Sequence, residues 1–344
     1  MPRFDTINAR QTRLALLLLL PTFIVLILVA FYPLARTFTA SLTDERFAAE
    51  EGTVVKNVNF QNYQRLLGIQ FVQIPPDETR LPTSLLPRVE ATDTYPRYTY
   101  SRVGVLQIFS GRTTITAGDG DFVGAILNTV FFTIVSVFLE LSFGLGIALV
   151  VNTKFRGRGV MRAVMLIPWA IPTAVSTRLW KEMLGDNSSR FLNALLLQTG
   201  LIQRSQAWLV DFPFLSIILV DVWKTAPYMA LLILAGLQTI SADLYEAAAV
   251  DGTTVVQRFF RITFPLLMPT ILIALIFRTL DALRAFDVFY VLFNRKLLSM
   301  ASYNYEKLAQ DFQYGYASAI GVVIFIIIFA FTILYMSTFQ VQED

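Results

Sequence analysis

Long apolar stretches recur along the chain, and polar segments of very different lengths separate them. A hydrocarbon core about 30 Å thick is crossed by roughly 20 mainly apolar helical residues. Six stretches reach that length, at residues 14–36, 123–151, 160–183, 212–237, 265–292 and 318–338. Proline lies inside several of them, where neighbouring helices can satisfy the carbonyls that proline leaves free. The pattern predicts an all-α polytopic membrane protein whose six transmembrane helices pack as a bundle.

The distribution of Lys and Arg predicts the orientation of these spans. Short loops rich in Lys and Arg stay in the cytoplasm, whereas long segments cross regardless of charge. With a cytoplasmic N-terminus, the inner segments carry nine such residues: Arg3, Arg10, Arg13, Lys154, Arg156, Arg158, Arg162, Arg258 and Arg261. The short outer loops carry five: Arg190, Arg204, Arg295, Lys296 and Lys307. We expect both termini to be cytoplasmic, and the first span to be an uncleaved anchor because it is too long for a signal-peptide core.

The outer segment at residues 37–122 is long enough to fold by itself. Its stretch RYTYSRVGVLQIFS alternates as a strand does and is rich in Tyr, Val and Ile. We expect a small lobe containing strands, and an irregular ordered loop is the alternative. The chain then divides into residues 1–36, with the N-terminus and first span, the extracytoplasmic segment 37–122, and a five-helix core at 123–339. A second outer stretch, FLNALLLQTG, is predicted to lie along the membrane interface.

Composition agrees with a membrane protein and excludes several kinds of chemistry. The chain is 55% hydrophobic and 15% charged, whereas about a quarter of the residues of a soluble domain are charged. It contains no Cys and no His, which excludes disulfides, thiolate or imidazole metal ligands, and Cys or His catalysis. The Gly-x-x-x-x-Gly-Lys-Ser/Thr phosphate-binding loop is also absent, so the chain is not expected to bind ATP through such a loop.

A charged, alanine-rich segment stands out in the inner loop at residues 240–265. Ser241 is a predicted N-cap, and the helix that follows should end at Val250 because Asp251 and Gly252 favour a turn. A second helical run is predicted at residues 254–262. The small alanines beside Glu246 would allow this element to enter a groove on another protein. An ordinary connecting loop is the alternative, and helix propensity alone does not decide between the two.

The spacing of this segment resembles the EAA loop of permease subunits in bacterial ABC importers. The family pattern is Glu-Ala-Ala, three residues, Gly, nine residues and Ile-x-Leu-Pro. In this chain Phe264 stands where the family pattern has leucine. By this resemblance the residues that couple to the ATPase are Glu246, Ala247, Ala248, Asp251, Gly252, Ile262 and Pro265. The runs FRGRG, LIPWAIP and ALRAFDVFYVL also resemble the maltose/trehalose branch of sugar importers.

The resemblance implies a fold, a function and partners. The implied fold is the type I ABC importer permease, with six transmembrane helices and an extracytoplasmic insertion after the first. The implied function is the translocation subunit of an importer for a trehalose-like or maltose-like sugar in the bacterial inner membrane. This subunit has no ATPase site and no cofactor of its own, since ATP and Mg²⁺ bind the partner. The implied partners are a second permease, a cytoplasmic ATPase dimer, an extracytoplasmic solute-binding protein, the sugar and membrane lipid, but no nucleic acid.

Polar residues at membrane depth are the candidate substrate contacts. A charge near the bilayer centre costs about 2.5–3.5 kcal/mol on insertion scales, so such residues should face protein or water. The fourth span has four polar residues on one helix face: Asp221, Lys224, Thr225 and Tyr228. In the fifth, charges of alternating sign recur every three residues: Arg278, Asp281, Arg284 and Asp287. The resemblance places sugar contacts on the fourth-span set and on Arg278, Asp281, Ala282 and Ala285.

Two other interpretations remain open from the sequence. The intramembrane charges could neutralise one another without touching substrate, and Glu140 in the second span is expected to be a buried partner for an Arg. An ion-coupled secondary transporter could use Asp221, Asp281 and Arg278 as a relay, although this leaves the spacing of the alanine-rich segment unexplained. A membrane-embedded enzyme has no supporting motif.

Overall fold

The computed structural model describes residues 5–47, 54–75, 81–90, 98–108 and 111–338. Arg3 and the two ends of the stretch RYTYSRVGVLQIFS lie outside these residues. The chain divides into two compact units. The first comprises Met1–Asp119 with Asn304–Phe325, and the second comprises Gly120–Tyr303 with Ile326–Asp344.

The first unit begins with the first span. An α-helix at Asp5–Leu26 continues through a π-helical turn at Ile27–Phe31 into a helix at Tyr32–Ala40. Its large apolar side chains are exposed from Leu14 to Phe38, as suits a helix that contacts lipid. A short helix at Gln61–Leu67 follows.

Strands are present in the predicted outer segment. They are β1 (Ile69–Gln73), β2 (Arg88–Val89), β3 (Tyr98–Thr99), β4 (Ser101–Ile108) and β5 (Gly111–Ala117). Three form an antiparallel sheet in the order β1-β5-β4, and β2 pairs with β3. Ile69 lies opposite Ala117, and the register shifts between Arg102 and Gly104. The strand pattern in this stretch is therefore confirmed for β4, where Val and Ile positions support an extended backbone.

The start of the sixth span is tied to this segment inside the first unit. The Tyr316 hydroxyl donates to Asp119 Oδ2 at 2.5 Å, and the Arg65 guanidinium lies 4.5 Å from the Tyr316 ring centroid. A Cβ at Gly315 would lie 2.1 Å from the Thr43 carbonyl oxygen. The backbones approach closely here because this position has no side chain.

The second unit contains most of the bundle. Its long helices are Gly120–Asn152 in the second span, Pro213–Leu237 in the fourth and Phe264–Leu283 in the fifth. Its shorter helices are Arg158–Val164, Ile167–Ala170, Thr173–Met183, Phe191–Gln198, Trp208–Asp211, Ala242–Val250, Val255–Arg258 and Asp287–Phe293. Helices at Met300–Tyr305 and Tyr314–Thr338 complete the described chain, the latter being the sixth span.

Two predicted spans differ from the structure. Among the described residues, five helices are long and apolar enough to cross a membrane, and a sixth crossing requires the pair Arg158–Ala170 and Thr173–Met183, which is bent by 88°. The third span is therefore broken, because Pro172 cannot donate a backbone hydrogen bond to the preceding turn. The fifth span was predicted to run to residue 292, but its helix ends at Leu283 and a new helix begins at Asp287.

The second and fourth spans pack closely at small residues. Gly144 is buried in the second span, and a Cβ there would lie 2.8 Å from Met229 Cγ and 3.1 Å from the Ala230 backbone nitrogen. Beyond this contact lies a buried apolar cluster that includes Ala148, Ile233 and Leu267. Close approach of the helix backbones increases van der Waals contact, which drives helix association in lipid.

This packing predicts opposite effects for one substitution at two neighbouring glycines. Gly144→Ala should lower the midpoint of thermal unfolding in detergent, because overpacking costs about 1–3 kcal/mol. Gly146→Ala, on the same helix with nothing within 4 Å of the added Cβ, should raise stability by about 0.4–1 kcal/mol. Equal shifts in the unfolding midpoint for the two variants would contradict the close packing at Gly144.

Candidate functional site

The alanine-rich inner segment folds as the sequence predicts. A helix spans Ala242–Val250, and the Ser241 hydroxyl caps it by accepting a hydrogen bond from the Asp243 N–H at 3.3 Å. Gly252 has φ +73°, a left-handed conformation that favours glycine. The Thr253 N–H donates to the Ala248 carbonyl at 3.1 Å and closes the turn.

The second helical run joins this turn to the fifth span. Thr254 and Gln257 form a reciprocal capping box at the start of Val255–Arg258. A π-helical turn at Phe259–Thr263 then leads directly into Phe264–Leu283. The hydroxyls of Tyr245 and Thr263 lie 3.0 Å apart, which links the two helices. Pro265 is at the start of the fifth-span helix and Ile262 is half-buried in the π turn.

The same segment exposes an apolar surface. Glu246 and Ala247 are exposed, whereas Ala248 is buried. Five large apolar side chains are exposed around them, and we call them the loop patch: Leu244, Val250, Val255, Val256 and Phe260. Val250 is 88% exposed. Large exposed apolar patches can mark protein interaction surfaces, and the docking role of this segment stays a prediction.

A buried ion cluster joins three spans inside the second unit. Arg278 from the fifth span binds Glu140 of the second span through Nε and Nη2, the Nη2 contact being 2.8 Å. Its Nη2 also donates to Asp221 Oδ2 in the fourth span at 2.5 Å, and its Nη1 donates to Asp281 Oδ2 at 2.9 Å. The Thr225 hydroxyl lies 2.5 Å from Glu140 Oε1 and 2.6 Å from the Asp221 carbonyl oxygen. The expected Arg partner of Glu140 is thus Arg278.

Burial makes this cluster structurally important. The side chains of Arg278 and Glu140 are 4% and 0% exposed, and that of Asp221 is 8% exposed. A guanidinium has five N–H donors in a planar fork, so one Arg can satisfy several carboxylates at once. The alternative in which the charges neutralise one another therefore fits Arg278, Asp221 and Glu140. Asp281 differs, because its side chain is 70% exposed.

Lys224 holds the break in the third span. Its buried ammonium donates to the carbonyl oxygens of Pro168, Trp169 and Ile171 at 3.4, 3.2 and 2.5 Å. These carbonyls lack helical donors because the chain bends at Pro172. One turn further along the fourth span, the Tyr228 ring stacks on Trp169 with centroids 4.9 Å apart. The fourth span thus holds the bent segment in place through the Lys224 ammonium and the Tyr228 ring.

A polar cavity of about 460 Å³ lies between the bent segment and the fourth and fifth spans. Volumes of about 300–1,000 Å³ are usual for small-molecule sites. Residues 169–173 of the bend form one wall, and residues 284–288 at the break in the fifth span form another. The lining includes six charged side chains: Asp221, Lys224, Arg278, Asp281, Arg284 and Asp287. Within the described ranges no group of three or more carboxylates could hold a metal ion.

The structure brings most of the predicted contact residues together at this cavity. Asp221, Lys224, Thr225, Arg278, Asp281 and Ala285 line it. Tyr228 lies behind Trp169, and Ala282 is buried in the apolar cluster beside the cavity. Sequence reasoning did not identify Trp169, Thr173 or Phe286 as lining residues. The prolines of LIPWAIP could have indicated the bend that brings Trp169 and Thr173 to the cavity. They were interpreted instead as part of a continuous span.

The ion cluster predicts a large loss of stability when its cation is removed. Arg278→Met would leave Glu140 and Asp221 buried without their partner, which typically costs about 3–5 kcal/mol. The midpoint of thermal unfolding in detergent should fall sharply, and the triple change Arg278→Met, Glu140→Gln, Asp221→Asn should restore part of it. Arg284→Gln, an exposed position on the same span, is the matched control. Equal stability of Arg278→Met and this control would contradict the role of the cluster.

Comparison with known proteins gives the family. Residues 140–341 match the family described as "Binding-protein-dependent transport system inner membrane component". The trehalose/maltose transport system permease protein MalF of Thermococcus litoralis is 43% identical over 222 residues, covering 63% of this chain and 74% of that protein. The sulfoquinovosyl glycerol transport system permease protein SmoG of Agrobacterium fabrum is 37% identical over 223 residues, covering 63% and 71%.

A solved structure gives the fold over almost the whole chain. A chain of a bacterial ABC transporter involved in the import of the acidic polysaccharide alginate superposes with a TM-score of 0.69 at 19% identity, covering 98% of both chains. This likeness shows the ABC importer permease fold, as the sequence predicts. Together with the family match over residues 140–341, it identifies the chain as a membrane-spanning permease, and the chain belongs to the family of inner membrane components of binding-protein-dependent transport systems.

Proposed function

We propose that the chain is the transmembrane subunit of an ATP-driven importer for a trehalose-like or maltose-like sugar, forming half of the translocation pathway. The exposed loop patch carries this proposal, because it offers a partner exposed apolar side chains on a segment joined directly to the fifth span. The partner is a cytoplasmic ATPase dimer that binds ATP and Mg²⁺. A second permease and an extracytoplasmic solute-binding protein complete the assembly, and both termini of this chain lie in the cytoplasm.

The helical connection supports a mechanical route from the loop to the cavity. Val255–Arg258, the π turn and Phe264–Leu283 follow one another without a break. Movement of the ATPase subunits at the loop patch therefore moves the fifth span, which holds Arg278. Because Arg278 binds the second and fourth spans, these spans move with it. Rigid-body rocking of such a group is a general way to alternate access to a site at membrane depth.

The similarity to sugar permeases supports the substrate class. The relatives named above include a trehalose/maltose permease at 43% identity. The polar cavity is suited to hydroxyl-rich ligands, since carboxylates and basic groups hydrogen-bond hydroxyls well.

The ion-coupled carrier is the weaker candidate. Its relay would need Asp221, Asp281 and Arg278 to exchange ions, yet Arg278 is already bound to three carboxylates. Uptake in proteoliposomes distinguishes the two functions. The importer needs ATP and a solute-binding protein, whereas a carrier loses uptake on addition of an ionophore at constant ATP.

Disruption of the loop should uncouple ATP hydrolysis from uptake. Gly252→Pro fixes φ near −65°, which is incompatible with the observed φ of +73°. Glu246→Lys reverses an exposed charge beside the loop patch. We expect either variant to reach the membrane at normal levels and to lose about tenfold or more in sugar uptake, as for a residue central to an interface.

The matched control for these variants is Asp186→Lys, a charge reversal at an exposed position on the opposite side of the predicted topology. It should leave uptake unchanged. Normal uptake by both loop variants would show that the segment does not dock the ATPase.

A further inference from the structure

A strongly basic turn joins the second and third spans. We call residues 153–162 the basic turn, and its cations are Lys154, Arg156, Arg158 and Arg162. From residue 141 to residue 181 the chain contains no Asp or Glu. Within the described ranges, none of these four cations forms an ion pair with a carboxylate. The turn therefore presents positive charge that the described part of the chain does not pair.

We infer that the basic turn binds the headgroup of an anionic phospholipid, with the lipid phosphate held by Arg158 and Arg162. This lipid site is distinct from the cavity and from the loop patch. The inference uses the orientation given under the proposed function, in which the turn faces the cytoplasm. It does not depend on which solute the chain transports.

Two arginines of the turn are held against the end of the second span. Arg158 Nη1 donates to the Asn152 carbonyl at 3.5 Å, and Arg162 Nη2 donates to the Val151 carbonyl at 3.3 Å. The two arginines are four positions apart on the helix Arg158–Val164, so their side chains lie on the same face. Each guanidinium has five N–H donors, and each therefore keeps donors for phosphate oxygens.

One of these donors has no partner. Arg162 Nε is buried and makes no hydrogen bond among the described residues. A buried donor without an acceptor costs free energy, and a phosphate oxygen beside the guanidinium would supply the acceptor. Guanidinium groups bind phosphate through two parallel hydrogen bonds, which Arg158 and Arg162 could provide from neighbouring turns of one helix.

Exposed apolar side chains accompany the cations and favour a lipid over an acidic protein. Val160 and Val164 are 68% and 54% exposed. Each follows an arginine by two positions, about 200° around a helix, so the valines lie on the opposite face. Phe155 and Met161 are also exposed. At a membrane interface, apolar side chains contact acyl chains while Lys and Arg contact anionic headgroups.

The length of the turn keeps it close to the membrane. The second span is apolar up to Val151, and apolar residues resume at Val160. Five residues, 153–157, separate the helix that ends at Asn152 from the helix that begins at Arg158. A chain extends at most about 3.6 Å per residue, so a loop this short rises no more than about 11 Å before it returns. The headgroup layer is about 5–8 Å thick on each side, so the cations stay near lipid phosphates.

The charge of the turn selects an anionic headgroup over a zwitterionic one. Both kinds of headgroup contain a phosphate, but phosphatidylcholine and phosphatidylethanolamine add an ammonium group. No carboxylate in the turn could accept that ammonium, which would be repelled by the four cations. We therefore expect phosphatidylglycerol to bind more tightly than phosphatidylcholine.

The test measures lipid binding by the full-length chain, purified in detergent with any partners that remain bound. Phosphatidylglycerol and phosphatidylcholine are titrated separately, and native mass spectrometry counts the bound lipids. One basic residue near an anionic surface contributes about fivefold in affinity. The wild type should prefer phosphatidylglycerol by about tenfold or more, and the double variant Arg158→Gln, Arg162→Gln should reduce this preference to about twofold or less.

A second variant keeps the test independent of folding. Lys154→Gln, Arg156→Gln removes two exposed cations, so the midpoint of thermal unfolding in lipid-free detergent should not change. Its affinity for phosphatidylglycerol should fall about fivefold or more. The matched control is Arg204→Gln, Lys296→Gln, which removes the same charge from exposed positions in the predicted outer loops. This control should keep the wild-type preference.

Three results would overturn the inference. The first is an unchanged lipid preference in both variants of the basic turn. The second is displacement of phosphatidylglycerol by an equal concentration of inorganic phosphate at constant ionic strength, which would indicate a site for the free anion. The third is weaker binding of the ATPase by these variants with unchanged lipid binding, which would indicate an acidic protein partner.

Lipid binding and sugar import can fail separately. The lipid titration uses neither ATP nor sugar, so a negative result there leaves the proposed import function standing. An importer that takes up neither trehalose nor maltose with ATP would refute the proposed function and leave the lipid site in place.

Discussion

The contact of Arg278 with Glu140 and Asp221 is the interaction on which the bundle depends. Each residue comes from a different span, and each is nearly excluded from solvent. In lipid, separating such charges is costly, and apolar side chains provide little force to distinguish one helix neighbour from another. The cluster therefore determines which spans contact one another and how they are aligned along their length. The small-residue contact at Gly144 then allows the second and fourth spans to approach closely below it.

The Arg278 cluster also links the alanine-rich loop segment to the cavity, because Arg278 belongs to the fifth span. The loop segment continues into the fifth span, and this span ends at the break that carries Arg284 and Asp287. Arg284 and Asp287 thus lie one helix length from the loop patch. Lys224 supports the opposite wall by binding the carbonyls of the bent segment. Under the proposed function, movement applied at the loop patch would change the distance between these two walls and hence access to the cavity.

Local features of the fold could be predicted from the sequence, and long-range ones could not. The runs of apolar residues located the spans, and Ser241 and Gly252 located the ends of the loop helix because caps act within a few residues. The break after Leu283 was not predicted, since ALRAFDVFYVL contains no Gly or Pro. The choice of Arg278 as the partner of Glu140, 138 positions away, depends on packing of the whole bundle. Trp169 was missed because the bend that brings it to the cavity was interpreted as a continuous helix.

The most direct measurement is a structure of the complete importer, determined by electron cryomicroscopy with trehalose trapped in the transmembrane cavity. The account predicts that the sugar lies in the cavity and that Arg278 remains bound to Glu140 and Asp221. A sugar hydroxyl in the place of Asp221 on the Arg278 guanidinium would contradict it, because the cluster would then be a binding group and not a permanent joint between spans.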